Sequence, residues 1–193
     1  MDQSNIEIVP LEEQHFKGVI DVLNGGFGTK RCLFCFPATK TPMEFERMHK
    51  KNPLKREIAF IAIDSTSKVI LGFVQLCKPG VPAFWGMHDP KEDEVYIELI
   101  AVADEARGRG IGTKLLHYSE TFARNEPGIE VLTLDVLRGN QALSLYQRFG
   151  FEIVPPKGCL GNCFLSVFVF LVMGRPYGLC NPRWGLDSMV KKL

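Results

Sequence analysis

Between Ala106 and Leu116 the chain reads Ala-Arg-Gly-Arg-Gly-Ile-Gly-Thr-Lys-Leu-Leu, with glycine at positions 108, 110 and 112. Glycine weakens a helix interior by roughly 1 kcal/mol relative to alanine, yet this stretch leads straight into a strongly amphipathic segment. Ile111, Leu115, Leu116, Ser119, Phe122 and Ala123 recur there at helical spacing and share one face. The stretch before it, Glu94-Val-Tyr-Ile-Glu-Leu-Ile-Ala-Val102, reads as a strand, and Ile129 to Val136 reads as another after the helix is closed by Glu126-Pro-Gly128. A strand, a glycine turn, a helix and a further strand make a crossover unit with a helix N-terminus at the turn. The first N–H groups of a helix lack intrahelical partners and the helix dipole adds positive character there. The glycines therefore give up helix stability so that the backbone can approach an anion closely.

The rest of the chain reads as an α/β domain. Ile6–Val9 is a first strand and Leu11–Leu23 a helix ended by Asn24-Gly25-Gly26. Thr41-Pro-Met-Glu44 opens a short helix with proline at its first position. Ile58–Ile63 and Val69–Leu76, joined by the turn Asp64–Lys68, form an antiparallel hairpin, and the proline- and glycine-rich residues that follow form a loop. Asn140 is a natural N-cap for a helix over Gln141–Phe149, closed by Gly150. Phe151–Val154 and Phe164–Met173 read as closing strands. The whole of 1–193 is expected to be one domain, with its core at about 4–175 and a C-terminal tail over 176–193.

Charge and cysteine content narrow the function. A net charge of +1 argues against nucleic acid or an anionic membrane as the main partner. The run Cys163–Met173 is too short for a bilayer, which needs about 20 apolar residues, and the N-terminus shows no secretory pattern, so a cytoplasmic protein is expected. Its cysteines are then expected to be reduced. Cys32/Cys35 and Cys159/Cys163 together supply four thiolates, but the second spacing is one residue too long for the usual zinc knuckle, and no metal is expected. The basic cluster His49–Arg56 reads as a solvated helix end and turn.

Spacing decides which anion the glycines serve. A dinucleotide fingerprint from Gly108 would need glycine where Thr113 stands, and a P-loop would need a four-residue spacer that is missing. Arg107-Gly-Arg-Gly-Ile-Gly112 instead fits Q/R-x-x-G-x-G/A. This is the acetyl-CoA pyrophosphate loop of the GNAT superfamily of N-acetyltransferases, which the chain resembles. The resemblance extends through Tyr96–Val102 and takes in Asn140-Gln-Ala-Leu-Ser-Leu-Tyr146-Gln-Arg-Phe-Gly-Phe151, similar to the family's N-x-x-A-x-x-x-Y-x-x-x-G-F segment. It implies a mixed, mostly antiparallel sheet with one splayed parallel strand pair and flanking helices. It also implies acetyl-CoA as the acyl donor, an amine acceptor on a protein or a small molecule, and a monomer or homodimer.

The resemblance also implies roles for single residues. The backbone of Ile100, Ala101 and Val102 would pair with the pantetheine arm. The amides of Arg107, Gly108, Arg109, Gly110, Ile111, Gly112 and Thr113 would hold the pyrophosphate, and Asn140 would reach the cofactor across the cleft. Tyr146 matches the family tyrosine beside the sulfur and is the candidate general acid, protonated at neutral pH because a free phenol titrates near 10. Glu94, Tyr96 and Glu98 share one face of their strand, and Glu98 is the candidate general base, with Tyr96 next. A glutamate on an apolar strand is costly unless it has a partner or a task. N-terminal acetyltransferases of the NatE type are similar in having tyrosine at the Tyr96 position and Gly-Ile-Gly-Thr-Lys, but carry histidine where this chain has Asp135. The acidic run Asp89–Glu94 is read as a solvated loop, with attraction of a cationic amine as the other possibility, and none of the four histidines is given a role. A non-catalytic acyl-CoA sensor or scaffold is the alternative that the same motifs allow.

Overall fold

The computed structural model describes residues 5–27, 42–81, 83, 88–137, 140–155 and 186–193. Among these residues seven strands form one sheet: β1 (Ile6–Pro10), β2 (Ala59–Asp64), β3 (Ile70–Cys77), β4 (Glu94–Val102), β5 (Val131–Leu137), β6 (Glu152–Ile153) and β7 (Leu186–Lys192). Their order across the sheet is β1-β2-β3-β4-β5-β7-β6. Every neighbouring pair is antiparallel except β4 and β5, which run parallel as the crossover unit requires.

Five described helices cover the two faces: α1 (Phe16–Phe27), α2 (Pro42–Lys51), α3 (Pro53–Glu57), α4 (Ile111–Asn125) and α5 (Ala142–Phe149). One core layer joins Ile111, Leu115, Leu116 and Ala123 of α4 and Tyr146 of α5 to Val95, Ile97, Leu132, Leu134 and Met189 of the sheet. The opposite layer joins Val19, Ile20 and Leu23 of α1 and Phe45 of α2 to Ile61, Phe73, Leu99 and Ala101. No described helix is long and apolar enough to cross a membrane.

Several elements depart from the sequence reading. The first helix begins as a 3-10 turn at Glu13–His15 and runs through the Asn24-Gly25-Gly26 expected to stop it. Packing of Val19, Ile20, Val22 and Leu23 against the sheet outweighs the weak helix preference of glycine. At Gly18 the helix packs closely on β3, where a β-carbon would lie 2.7 Å from Ile70 Cδ1 and displace the end of that side chain.

The basic cluster is a helix end and turn with Lys50 and Lys51 exposed, but it is not solvated throughout, since His49 and Lys55 are both buried. The sheet does not end at residue 175 either. Leu186–Lys192 pairs with β5 along its whole length and separates it from β6. Phe164–Met173 and the paired cysteines 32, 35, 159 and 163 lie outside the described residues.

Candidate active site

The site begins where β4 and β5 part. Their parallel ladder runs from Glu94 opposite Val131 to Ile97 opposite Leu134 and stops. Beyond it β4 stays with β3 to Val102, while β5 stays with β7 to Leu137. The cause is visible on the other side of β4. Gln75 faces Leu99 and the next residue, Leu76, faces Ile97, so Glu98 is an extra residue, a β-bulge. The bulge turns the strand away from β5 and leaves the β4 backbone from Glu98 to Val102 without a sheet partner on that side among the described residues. It also shifts the alternation. Ile97 and Ile100 face α4, whereas Tyr96, Leu99 and Ala101 face the α1–α2 side.

At the end of β4 the chain makes a 3-10 turn over Asp104–Ala106 and passes through Gly108 and Gly110, both left-handed at φ 75° and 76°, into α4. The first helical bond is Lys114 N–H to the Gly110 carbonyl at 3.0 Å, so the N–H groups of Ile111, Gly112 and Thr113 are the unpaired donors of the helix start. No side chain caps them. A β-carbon at Gly108 would meet nothing within 4 Å, so the turn borders open space. Gly112 has a different reason to be glycine, since a β-carbon there would come within 3.2 Å of Leu145 Cδ2 of α5. An unpaired strand edge leading to a helix N-terminus through an open glycine turn fits an extended ligand ending in a diphosphate.

On this face Tyr146 is buried, and burial pushes its phenol up to about 12, so it stays protonated at any physiological pH. Asn140 Oδ1 accepts the Ala142 N–H at 2.9 Å in the turn before α5, but the N-cap position is Gln141 and no side chain caps the helix, so the N-cap expected at Asn140 falls one residue later. Arg107 is exposed and paired with Asp104 at 2.7 Å.

The other face of the gap holds the remaining chemistry. The Tyr96 hydroxyl donates to Asp135 Oδ2 at 3.2 Å, and Ser188 Oγ of β7 donates to Asp135 Oδ1 at 2.6 Å. Burial, with the Asp135 charge beside it, drives the Tyr96 phenol well above the usual tyrosine range. His88 lies on the Tyr96 ring, with centroids 4.1 Å apart and planes within 22°. Its Nε2 is 2.8 Å from Glu94 Oε1. Glu94 also accepts Thr133 Oγ1 and, at 3.1 Å, the Lys91 N–H. Burial opposes the Glu94 charge, but the bonds from His88, Thr133 and Lys91 win and bring its carboxyl down to about 2. The end of the acidic run is therefore internal structure rather than solvated loop.

Glu98 is not an unengaged base. Its Oε2 lies 2.5 Å from Lys55 Nζ and 3.3 Å from Cys77 Sγ, and both charged side chains are almost fully buried, at 3% and 4% exposure. Burial and the Glu98 charge push the Cys77 thiol up to about 12.

The structure thus places Tyr96 and the backbone edge from Glu98 to Val102 where β4 and β5 part, encloses the Glu98 side chain against Lys55, and sets Tyr146 in the core layer under α4, on the other face of the sheet from Tyr96. His88, Lys55 and the engagement of Asp135 are not marked by any motif in the sequence. His88 stands in a loop, and its only sequence signal was proximity to an acidic run. Lys55 was hidden among solvated-looking cations.

The profile of the Acetyltransferase (GNAT) family matches residues 31–151. N-alpha-acetyltransferase 30 of Schizosaccharomyces pombe is 32% identical over 95 residues, which are 49% of this chain and 57% of that protein. N-alpha-acetyltransferase 50 of Danio rerio is 31% identical over 71 residues, 36% of this chain and 42% of that one. The chain therefore spans about half the length of the curated relatives it matches. Among solved structures, the NatC complex bound to Gag peptide and CoA superposes with a TM-score of 0.62 at 18% identity, over 98% of this chain and 99% of that one, which shows the shared fold. By its profile match across most of the sequence, its split sheet and its glycine turn, this chain belongs to the GNAT acetyltransferase family.

Proposed function

We propose that this protein transfers an acetyl group from acetyl-CoA directly to a primary amine, and that the acceptor is the α-amine of a polypeptide. The observation that carries the reading is the gap between β4 and β5, with unpaired helix donors and Tyr146 on one face and a polar cluster around Tyr96 on the other. A thioester laid along the β4 edge would present its carbonyl to an amine arriving from the opposite side. The α-amine assignment is supported by the relatives named as N-alpha-acetyltransferases. It also suits a site of modest basicity, because an α-amine titrates near 8 against about 10.4 for lysine.

In this reading the amides of Gly108 to Thr113 bind the diphosphate, while the Arg107 N–H, also expected to do so, is taken by the Asp104 carbonyl at 3.3 Å. The Ile100–Val102 backbone pairs with the pantetheine arm, and Asn140 borders the cofactor from α5. Tyr146, protonated and buried, gives a proton to the departing thiolate. Glu98 holds the bulge through Lys55.

Calorimetric titration of acetyl-CoA and release of free thiol with a panel of peptides, free or blocked at the N-terminus, test the proposal. Binding with turnover on free α-amines is expected. Binding without turnover on any amine would favour a non-catalytic sensor. Tyr146→Phe is expected to lower kcat by about 10²-fold while the CoA dissociation constant holds. Gly108→Val meets no steric obstacle but forces a branched side chain into φ 75°. Calorimetry should show its CoA affinity falling by about tenfold or more, equivalent to about 1.4 kcal/mol.

A further inference from the structure

Direct transfer needs a group that takes a proton from the ammonium form of the acceptor, and neither Glu98 nor Tyr96 is well suited to it. Glu98 is locked against Lys55 inside the protein, and Tyr96 holds its proton more tightly than a free phenol does. Three other histidines are described and none stands at the gap. His15 closes the turn before α1, His49 is buried between the Phe45 carbonyl and Gln75 Oε1, and His117 packs on Phe149 from α4. His88 alone among them lies against Tyr96, the residue whose hydroxyl meets Asp135 where β4 and β5 separate.

We propose that His88 is the proton acceptor for the incoming amine, with Glu94 as the residue that positions it; this rests on the acyl-transfer reading above. The Glu94 carboxylate is held by Thr133 Oγ1 and the Lys91 N–H and offers His88 Nε2 only an acceptor, so in the neutral ring Nε2 carries the hydrogen and Nδ1 keeps the lone pair. Stacking on Tyr96 fixes the plane of the ring, and its side chain remains 29% exposed, open to exchange with water.

The proton count balances. Nδ1 takes one hydrogen from R–NH3+ and passes it to solvent. The freed nitrogen lone pair forms the C–N bond as the carbonyl opens, and reclosure breaks the C–S bond. The nitrogen loses its second proton to solvent, which returns one to the Tyr146 phenolate left after that residue protonates sulfur, leaving amide, CoA thiol, the phenol restored and one net proton.

Among the described residues, the groups facing His88 are Glu94, Asp135 and Asp89, all acidic, together with the Tyr96 ring. The Glu94 bond comes first among the causes that hold the imidazole above its ordinary 6.5, and burial opposes it. A base works when neutral, so kcat/KM should fall as pH drops through that raised value. Ionisation of the acceptor contributes the same slope in every variant.

His88→Gln should lower kcat/KM by about 10²-fold near neutral pH, with CoA affinity and the urea midpoint kept, and should lose the enzyme's own acid limb. Glu94→Gln should move that limb to lower pH. Independently of turnover, ring 15N shifts of His88 should report the Nε2–H form and a titration that drops in Glu94→Gln. Full activity with an unchanged acid limb in His88→Gln, or an Nδ1–H ring, would overturn the assignment and leave the acyl-transfer reading standing. Absence of thiol release from the unaltered protein with every amine would end both.

Discussion

A chain ending at residue 185 is expected to give no cooperative urea transition and to be recovered as aggregate. Residues 186–192 form β7, which pairs with β5 along Val131–Leu137 and with β6 at Glu152 and Ile153. Met189 is completely buried in the layer under α4 and α5. Lys191 reaches Glu120 of α4 at 2.8 Å and lies 4.0 Å over the Phe149 ring, while the Leu193 N–H bonds the Glu130 carbonyl at 2.9 Å. Without this strand β5 becomes a long edge with Leu132, Leu134 and Val136 behind it, and β6 loses its neighbour in the sheet. Circular dichroism and urea titration read the effect. Met189→Ala, a milder probe of the same contact, should cost about 2–5 kcal/mol. A native-like transition in the shortened chain would show that β5 is stable without its outer neighbour.

Lys55→Met should destabilise the protein by about 3–5 kcal/mol, because it leaves the Glu98 carboxylate buried without the Lys55 charge. Replacing both, Lys55→Met with Glu98→Leu, should recover most of that loss, since apolar groups of similar size fill the space without a desolvated charge. Urea unfolding of the two single variants and the double variant forms a cycle that isolates the coupling. If Lys55→Met cost less than about 1 kcal/mol, the range of an exposed pair, the two charges would have to be hydrated rather than enclosed. The pair matters for more than stability. It sits at the extra residue of β4, so its loss should also loosen the opening between β4 and β5 and weaken CoA binding.

Much of the site was legible in one dimension because its signals are local. A glycine turn between a strand and a helix can be read from backbone preferences alone, and Gly108 and Gly110 do adopt the left-handed conformation that favours glycine. The apolar face of α4 followed the 3.6-residue period, with Ile111, Leu115, Leu116, Ser119 and Ala123 buried as that period requires. Single residues also misled where the period itself changed. Strict alternation along β4 would place Ile100 and Val102 beside Tyr96, but the bulge at Glu98 sends them toward α4 and brings Leu99 and Ala101 round in their place.

The sequence by itself determined the crossover unit, the glycine turn and the amphipathic faces, because each depends on neighbours a few positions apart. Only the tertiary structure decided that Lys55 neutralises Glu98 across 43 positions, that His88 stacks on Tyr96, and that the last strand enters the sheet between β5 and β6. Those pairings are set by which surfaces the sheet leaves to be covered and by the cost of burying a charge alone, and neither quantity exists until the chain has closed on itself.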